Sequence, residues 1–470
     1  MDDSPRQGQS ALPGRDRLAA LLAALESGLL ERRTAVRLTL LAALAGEHTL
    51  LVGPPGTAKS QLARRLHLAF RDGAYFERLL TRYTVPEELF GPLSISALEE
   101  DRYERQTAGF LPQATIAFID EVFKANSAIL NALLTLLNER EFDNGPRREP
   151  CPLVSVIGAT NEIPEDEVGE AFLDRFLIRL PVAPVTPQAF RRLLDLDPRE
   201  PPSAGELLHQ SDREAIASAA LEVRLPEEVA GVLGELRAVL AGERTYVSDR
   251  RWVKITWLLK VAAASEGRAA VSLWDLWLLP WCTAPDAARQ AGVASWLASR
   301  LGLGEAMSPP RLTRVVEAFE AQVEAEHAAD DLDYDEGGRL RLGGGLADRV
   351  GDVKGGAAAM RMASGRRRRY GATHVGARLE QVDDLLRRID EYLLELSARG
   401  ADLAAWRARS LWADEALARR GDENLAAAVE AVRALRLRAL RAREGFEALP
   451  RLPVDPGLAP PPVEHEPLAT

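Results

Sequence analysis

The amino-acid sequence predicts an α/β fold: a parallel β-sheet sandwiched by helices, followed by a helical part. Short apolar runs typical of buried strands alternate with helical periodicities through the first 181 residues. Parallel strands need such crossover helices between them, so the alternation favours a parallel sheet. After about residue 185 the apolar residues recur at helical spacing, which predicts a change to all-helical structure.

The elements are expected in a regular order along the chain. Two helices, at about 15–29 and 31–45, precede the first strand, and Asn126 suits the N-cap of a later helix. The expected strands are 48–52, Ala74–Leu79, Thr115–Ile119, Leu153–Ile157 and Phe176–Pro181.

Changes in composition divide the chain into segments. The stretch 330–376 is rich in glycine and charge, so we expect a flexible insertion or a small module there. The predicted segments are a disordered N-terminus at 1–14, an α/β domain at 15–190, a helical domain at 191–306, a helical bundle at 307–329 and 377–449, the insertion at 330–376, and a flexible tail at 450–470.

The composition excludes several function classes. The formal net charge of −11 provides no overall positive field that would attract nucleic acid or an anionic membrane. Cys151 and Cys282 are too few and too far apart for a disulfide framework, and no apolar run approaches the ~20 residues of a membrane span. The acidic, polar N-terminus is unlike a signal peptide, so we expect a cytoplasmic protein.

A glycine-containing loop between the first strand and the next helix carries the strongest functional signal. Loop N–H groups and the helix N-terminus would surround phosphate oxygens, so we expect a nucleoside triphosphate to bind here. Lys59 would reach the β- and γ-phosphates, and the Ser60 hydroxyl would bind Mg²⁺. The alternative is a glycine-rich turn without a ligand. The loop residues are Gly53, Pro54, Pro55, Gly56, Thr57, Ala58, Lys59 and Ser60.

Ala58 departs from the general phosphate-loop pattern, since this position, directly before Lys59, is not glycine. A methyl group is tolerated there if the backbone keeps a negative φ. We therefore expect a negative φ at Ala58.

Two carboxylates follow the third predicted strand. The apolar residues 116–119 lead directly into Asp120 and Glu121. At the carboxyl edge of a parallel sheet this pair would face the phosphate loop. Asp120 would hold Mg²⁺ through water, and Glu121 would act as general base for the attacking water. The pair indicates hydrolysis rather than binding alone, although acidic pairs also end strands without a function.

Further polar residues complete the expected site. Asn161 follows the fourth strand and would orient the attacking water, and Arg175, expected to be exposed, precedes the last strand. Arg175 would stabilise the transferring phosphoryl group across a subunit boundary. Arg250, at a predicted helix start, would contact the γ-phosphate, but its neighbour Arg251 fits equally well and the sequence does not choose between them.

Together these residues resemble an AAA+ ATPase, with a Walker A loop, a Walker B strand, a sensor-1 asparagine, an arginine finger and a sensor-2 arginine. The loop with Ala58 before Lys59 is similar to that of the MoxR family. So are the stretches Pro86–Ile95 and Ala108–Pro112, which resemble the hairpin inserted into helix 2 in this clade, at about 91–112. Tyr246–Trp252 and Gly267–Val271 look like the RavA group.

The resemblance implies an ATP-hydrolysing homo-hexamer that uses Mg²⁺, with Arg175 reaching in from the neighbouring subunit. The helical domain at 191–306 would be the AAA+ lid. The inserted hairpin, with Leu93, Ile95 and Tyr103, would face the pore or the target. MoxR proteins act with a von Willebrand factor A domain protein and remodel or activate a client complex, which the sequence does not identify. Two alternatives are a nucleic-acid motor of the helix-2-insert clade, against which the acidic charge argues, and an ATP-gated assembly scaffold.

Overall fold

The computed structural model describes residues 12–71, 73–164, 167–195, 207–303, 307–332 and 365–468. The chain forms two units, one comprising Met1–Leu301 and Ala405–Arg420, the other Gly302–Ala404 and Gly421–Thr470. The segments predicted at 1–14 and 330–376 lie largely outside the described residues. Within the described ranges, no helix combines the length and the apolar composition that a membrane span requires.

The first unit is built on a parallel sheet of five strands in the order β2-β3-β6-β1-β7. This arrangement confirms the predicted fold class. Each predicted strand is present, with bounds shifted by up to three residues. The strands, including an additional antiparallel pair β4–β5, are β1 His48–Val52, β2 Tyr75–Leu79, β3 Ile116–Asp120, β4 Glu141–Asn144, β5 Arg147–Pro150, β6 Ser155–Thr160 and β7 Phe176–Pro181.

Helices connect and cover these strands. Asn126 caps α6 as predicted, because its Oδ1 accepts a hydrogen bond from Ile129 N at 3.0 Å. The helices around the sheet are α1 Arg15–Glu26, α2 Arg33–Leu44, α3 Lys59–His67, α4 Pro86–Phe90, α5 Ile95–Leu98, α6 Ser127–Glu139, α7 Glu167–Leu173 and α8 Pro187–Leu194. The helical part then continues with α9 Gln210–Glu222, α10 Glu227–Gly242, α11 Asp249–Ser265, α12 Leu279–Thr283 and α13 Ala287–Arg300.

The central strands β3 and β6 are buried on both faces, which explains the apolar runs 116–119 in β3 and 156–159 in β6. Leu50 of β1, Ile119 of β3 and Val156 of β6 belong to one core with the apolar face of α6. This core fixes the strand ends, and with them the loops that follow.

Two short hairpins lie beside each other. Residues 92–94 pair with 104–106 through Ser94 N to Glu104 O and Gln106 N to Pro92 O, both 2.8 Å. Asn144, at the end of β4, accepts a hydrogen bond from Arg105 N at 2.7 Å. The β4–β5 hairpin was not predicted because its strands are charged, although Asn144-Gly145 is a strong turn signal.

The helical part packs on the amino end of β1. Lys254 Nζ of α11 lies 2.7 Å from Glu47 Oε2, directly before β1. One turn further, Trp257 Nε1 donates to Ala45 O at 3.0 Å. The start of α11 is therefore held at the sheet edge from which β1 and β7 begin.

The second unit contains the helix α14, Pro309–Ala328, a strand pair of Asp330–Leu332 with Gly365–Arg367, and most of two long helices, Ala372–Arg409 and Glu415–Glu447. In the tail that we expected to be flexible, residues 450–470, two of the described side chains are buried and a backbone carbonyl contacts a helix. Val463 and Leu468 are each 8% exposed, and Arg378 Nη1 donates to Pro461 O at 2.7 Å. Its proline content prevents helix formation, but backbone carbonyls and isolated apolar side chains still bind it to the helices.

Candidate nucleotide site

The carboxyl ends of β1, β3 and β6 bring the predicted loop, the acidic pair and the asparagine to one edge of the sheet. β6 lies between β1 and β3, with Val52 beside Thr160 and Ile119 beside Gly158. Gly53 N also donates to Thr160 O at 3.0 Å. This is the edge at which parallel α/β sheets bind ligands.

The loop after β1 has the form of a phosphate cradle. A Cβ on Gly53 would lie 2.2 Å from Val182 O, so only glycine lets the chain pass there. Thr57 Oγ1 donates to Pro54 O at 2.9 Å and closes the loop. Helix α3 then begins at Lys59, whose Nζ donates to Gly53 O at 2.7 Å and Pro54 O at 2.9 Å. The free N–H groups of such a helix start are suited to an anion.

Lys59 and the acidic pair share one electrostatic environment. Burial lowers the pKa of the Lys59 amine, and the negative charges of Asp120 and Glu121 oppose that shift. The three side chains are therefore close enough to interact, although Lys59 begins α3 and the acidic pair follows β3.

The backbone of Ala58 does not have the negative φ that we expected. Its φ is +69°, in the left-handed region, and it occupies the N-cap position of α3. The tight passage from the loop into α3 imposes this conformation on a residue with a Cβ, which raises its energy.

We expect Ala58→Gly to raise the free energy of unfolding by about 1 kcal/mol, because glycine adopts a positive φ without steric cost. Urea unfolding followed by circular dichroism measures this difference. The matched control is Ala63→Gly, in the interior of the same helix and fully buried, which should be destabilising. A lower stability of Ala58→Gly would mean that the positive φ carries no strain.

Asp120 and Glu121 form the turn that follows β3. Asp120 Oδ1 accepts a hydrogen bond from Glu121 N at 3.0 Å. Glu121 has a φ of +52°, and its Oε2 lies 3.2 Å from Lys124 Nζ but is a buried oxygen without a hydrogen-bond partner. A strained residue with an unsatisfied carboxylate oxygen is a common feature of functional sites.

The residues at this edge fit a magnesium ion. Ser60 and Asp120 offer a hydroxyl and a carboxylate, the oxygen ligands that Mg²⁺ prefers. The donor set is thus compatible with a hydrated divalent ion bound together with phosphate.

Asn161 extends from the end of β6 and is exposed. The preceding Thr160 hydroxyl donates to Glu162 O at 2.6 Å and accepts from Glu162 N at 3.2 Å. Thr160 therefore shapes the turn, and Asn161 is the side chain left available to a ligand.

Arg175 and Arg250 lie at the opposite edge of the sheet. Arg175 precedes β7, whose first residue, Phe176, pairs with His48, the first residue of β1. His48 and Val52 are about 13 Å apart by the rise of a parallel strand. The structure therefore does not bring these two arginines to the phosphate loop of their own chain.

Asp174 holds both arginines and was not singled out by the sequence analysis. Its Oδ2 lies 3.2 Å from Arg250 Nη2 and 3.6 Å from Arg175 Nη1. Arg175 is consequently only 18% exposed, less than expected. In the sequence, the carboxylate of Asp174 stands directly before the predicted finger residue Arg175. That position could have indicated the ion pair.

Arg251 is committed to the protein interior. Its side chain is 3% exposed, and all three of its nitrogens donate to protein oxygens. The acceptors are Cys282 O, Asp174 O, Asp174 Oδ1, Phe176 O and Leu177 O, at 2.6 to 3.3 Å. A guanidinium has five N–H donors, so none remains for a ligand, whereas Arg250 is 49% exposed.

Comparisons with known proteins identify two regions of the chain. A family model described as the MoxR domain in the MoxR-vWA-beta-propeller ternary systems matches residues 16–213, and an AAA lid domain model matches residues 228–297. An uncharacterised protein of Methanocaldococcus jannaschii is 43% identical over 261 residues, which is 54% of this chain and 67% of that protein.

Two further relatives carry names. Protein MoxR of Paracoccus denitrificans is 32% identical over 184 residues, covering 38% of this chain and 53% of that protein. Chaperone MoxR1 of Mycobacterium tuberculosis is 29% identical over 173 residues, covering 36% of this chain and 45% of that protein.

Proposed function

Because the chain belongs to the MoxR family of AAA+ ATPases, we propose that it hydrolyses ATP with Mg²⁺ and uses the energy to remodel a client protein complex. The observation that carries this proposal is the meeting of the phosphate loop, Asp120, Glu121 and Asn161 at one sheet edge. Binding alone would not require an acidic pair beside Lys59.

Each residue at that edge has a defined task in hydrolysis. The loop N–H groups and Lys59 bind the phosphates, and Ser60 and Asp120 hold the magnesium ion. When bound there, the ion would supply positive charge against the charge that develops on the phosphate oxygens. Glu121 accepts a proton from the attacking water, and Asn161 orients that water and the γ-phosphate.

The position of the two arginines at the far edge supports a site that a second copy of the chain completes. Arg175 and Arg250 are ion-paired with Asp174, beside the amino end of β7. They therefore do not lie at the same sheet edge as Lys59. We assign them to the nucleotide bound by a neighbouring subunit, where they stabilise the charge of the transferring phosphoryl group. A closed ring, which we take to be a hexamer, provides such a neighbour at every site.

The remodelling activity rests on family resemblance and on the hairpin at 92–106. Ile95 is 74% exposed and Tyr103 is 61% exposed at its tip, suited to contact with a protein target. We place the chain in the RavA group, from Tyr246–Trp252 and Gly267–Val271, and expect a von Willebrand factor A domain protein as its partner.

The test is the dependence of ATP hydrolysis on protein concentration. If each site takes its arginines from a neighbour, the rate per subunit should rise steeply over the concentration range in which rings form. Phosphate release and light scattering measured on the same samples check this. A rate per subunit that is constant from monomer to ring would contradict the shared site, and Mg²⁺-independent turnover would contradict the metal assignment.

A further inference from the structure

Arg32, in the connection between α1 and α2, lies against the phosphate loop. Its side chain is buried, with the residue 7% exposed. Nε donates to Thr57 O at 3.2 Å, Nη2 to Ala183 O at 2.6 Å and Nη1 to Glu31 O at 3.0 Å. Arg32 thus joins the phosphate loop to the segment that follows β7, through backbone carbonyls alone.

The connection that carries Arg32 is itself fixed in place. Glu31 has a φ of +55°, and its carboxylate accepts hydrogen bonds from both the N–H and the hydroxyl of Thr186, the N-cap of α8. A left-handed glutamate persists only where the surroundings determine it. Two neighbouring residues therefore tie the α1–α2 connection to the phosphate loop and to the start of α8.

The hydrogen bond to Thr57 determines the direction of one peptide group in the loop. In a trans peptide the C=O and the following N–H point to opposite sides. Since the Thr57 carbonyl points towards Arg32, the Ala58 N–H points away from Arg32, directly before α3 begins. That N–H is next to those of the helix start, which favour an anion.

We propose that Arg32 is a positioning residue for the nucleotide: it holds the Thr57–Ala58 peptide so that the Ala58 N–H donates to a phosphate oxygen. This inference rests on the proposed function, because it concerns the same phosphate cradle. Without the charged donor, the peptide is free to turn and present its carbonyl oxygen to the phosphates, which repel it. The cost should therefore grow with the number of phosphates that the cradle holds.

The chain offers a matched control in Arg37, on α2. Its side chain is 12% exposed and Nη1 donates to a backbone carbonyl, Leu411 O, at 2.7 Å. Arg37 also pairs with Glu26 rather than with the loop. Loss of Arg37 removes a comparably buried arginine without removing a contact to the phosphate cradle.

The experiment compares ADP and AMP binding by calorimetry in the full chain, for the wild type, Arg32→Gln, Arg32→Lys and Arg37→Gln. For Arg32→Gln we expect the Kd of ADP to rise about tenfold and that of AMP less than threefold, since one hydrogen bond from a charged donor is lost. Arg32→Lys should recover part of the ADP affinity, and Arg37→Gln should leave the ratio of the two Kd values unchanged.

An unchanged ADP affinity, or an equal loss for ADP and AMP, would overturn the positioning role. If Arg32→Gln does not fold by circular dichroism, Arg32→Lys carries the test, because it keeps the charge but cannot bridge Thr57 O and Ala183 O with one planar group. In that case an ADP-to-AMP ratio equal to that of the wild type overturns the proposal. A wild type that binds ADP but does not hydrolyse ATP would refute the proposed function alone.

Discussion

Glu121→Gln is expected to lower the rate of ATP hydrolysis by about 10²–10⁴-fold, because the amide cannot accept the proton of the attacking water. Nucleotide binding should stay close to that of the wild type, since the loop, Lys59 and Ser60 are unchanged. The substitution keeps the size of the side chain and removes the charge that pairs with Lys124 Nζ at 3.2 Å. Steady-state phosphate release and calorimetric ADP binding, measured on the same preparation, separate the two effects.

Glu139→Gln is the appropriate control for that variant. Glu139 is a surface glutamate, 49% exposed and paired with Arg148, at the end of α6. Its removal should change neither the rate nor the binding, because exposed ion pairs contribute little. If Glu121→Gln turned over ATP as fast as Glu139→Gln, another group would have to be the general base.

Arg175→Ala is expected to lower hydrolysis by about 10³-fold or more, the usual contribution of an arginine supplied in trans. A mixing experiment tests where that arginine acts. Mixed with Lys59→Ala, which cannot bind nucleotide but keeps Arg175, the Arg175→Ala chain should regain activity in rings that contain both. Each recovered site would combine the intact loop of one subunit with the intact arginine of its neighbour.

Arg250→Ala should behave like Arg175→Ala in the same mixtures, since Asp174 holds both arginines at the same edge. The control mixture combines Lys59→Ala with Glu121→Gln. These two defects lie at one sheet edge, so no pairing of subunits yields an intact site. No recovery with Arg175→Ala would refute the shared site, and recovery in the control would show that subunits complement by another route.

Much of the first unit could be predicted because its determinants are local. Apolar runs such as 116–119 identify buried strands, and parallel topology then brings the residues that follow them to one edge. The same reasoning placed Lys59, Asp120 and Asn161 together although they are far apart in sequence.

The features that could not be predicted from the sequence depend on contacts between distant segments and on the exact geometry of turns. The choice between Arg250 and Arg251 follows from how α11 packs, through Lys254 and Glu47, which are 207 residues apart. The positive φ of Ala58 follows from the geometry of the turn into α3, which the local pattern does not reveal. Nothing in the sequence indicates the contacts of Arg32, because its partners are backbone carbonyls, which every residue type has.

Asp174 has one consequence for subunit association. Burying an unpaired cation at an interface costs free energy, and so does removing one from an existing partner. Since Arg175 and Arg250 both rest on the same carboxylate, their meeting with a neighbour's phosphates would be an exchange of counter-ions, one anion replacing another. Asp174 would then keep only its ion pair with Arg251, whose Nη1 lies 3.3 Å from Asp174 Oδ1. In an isolated subunit the carboxylate of Asp174 thus pairs with both arginines, and a nucleotide-loaded neighbour would have to compete with it for them.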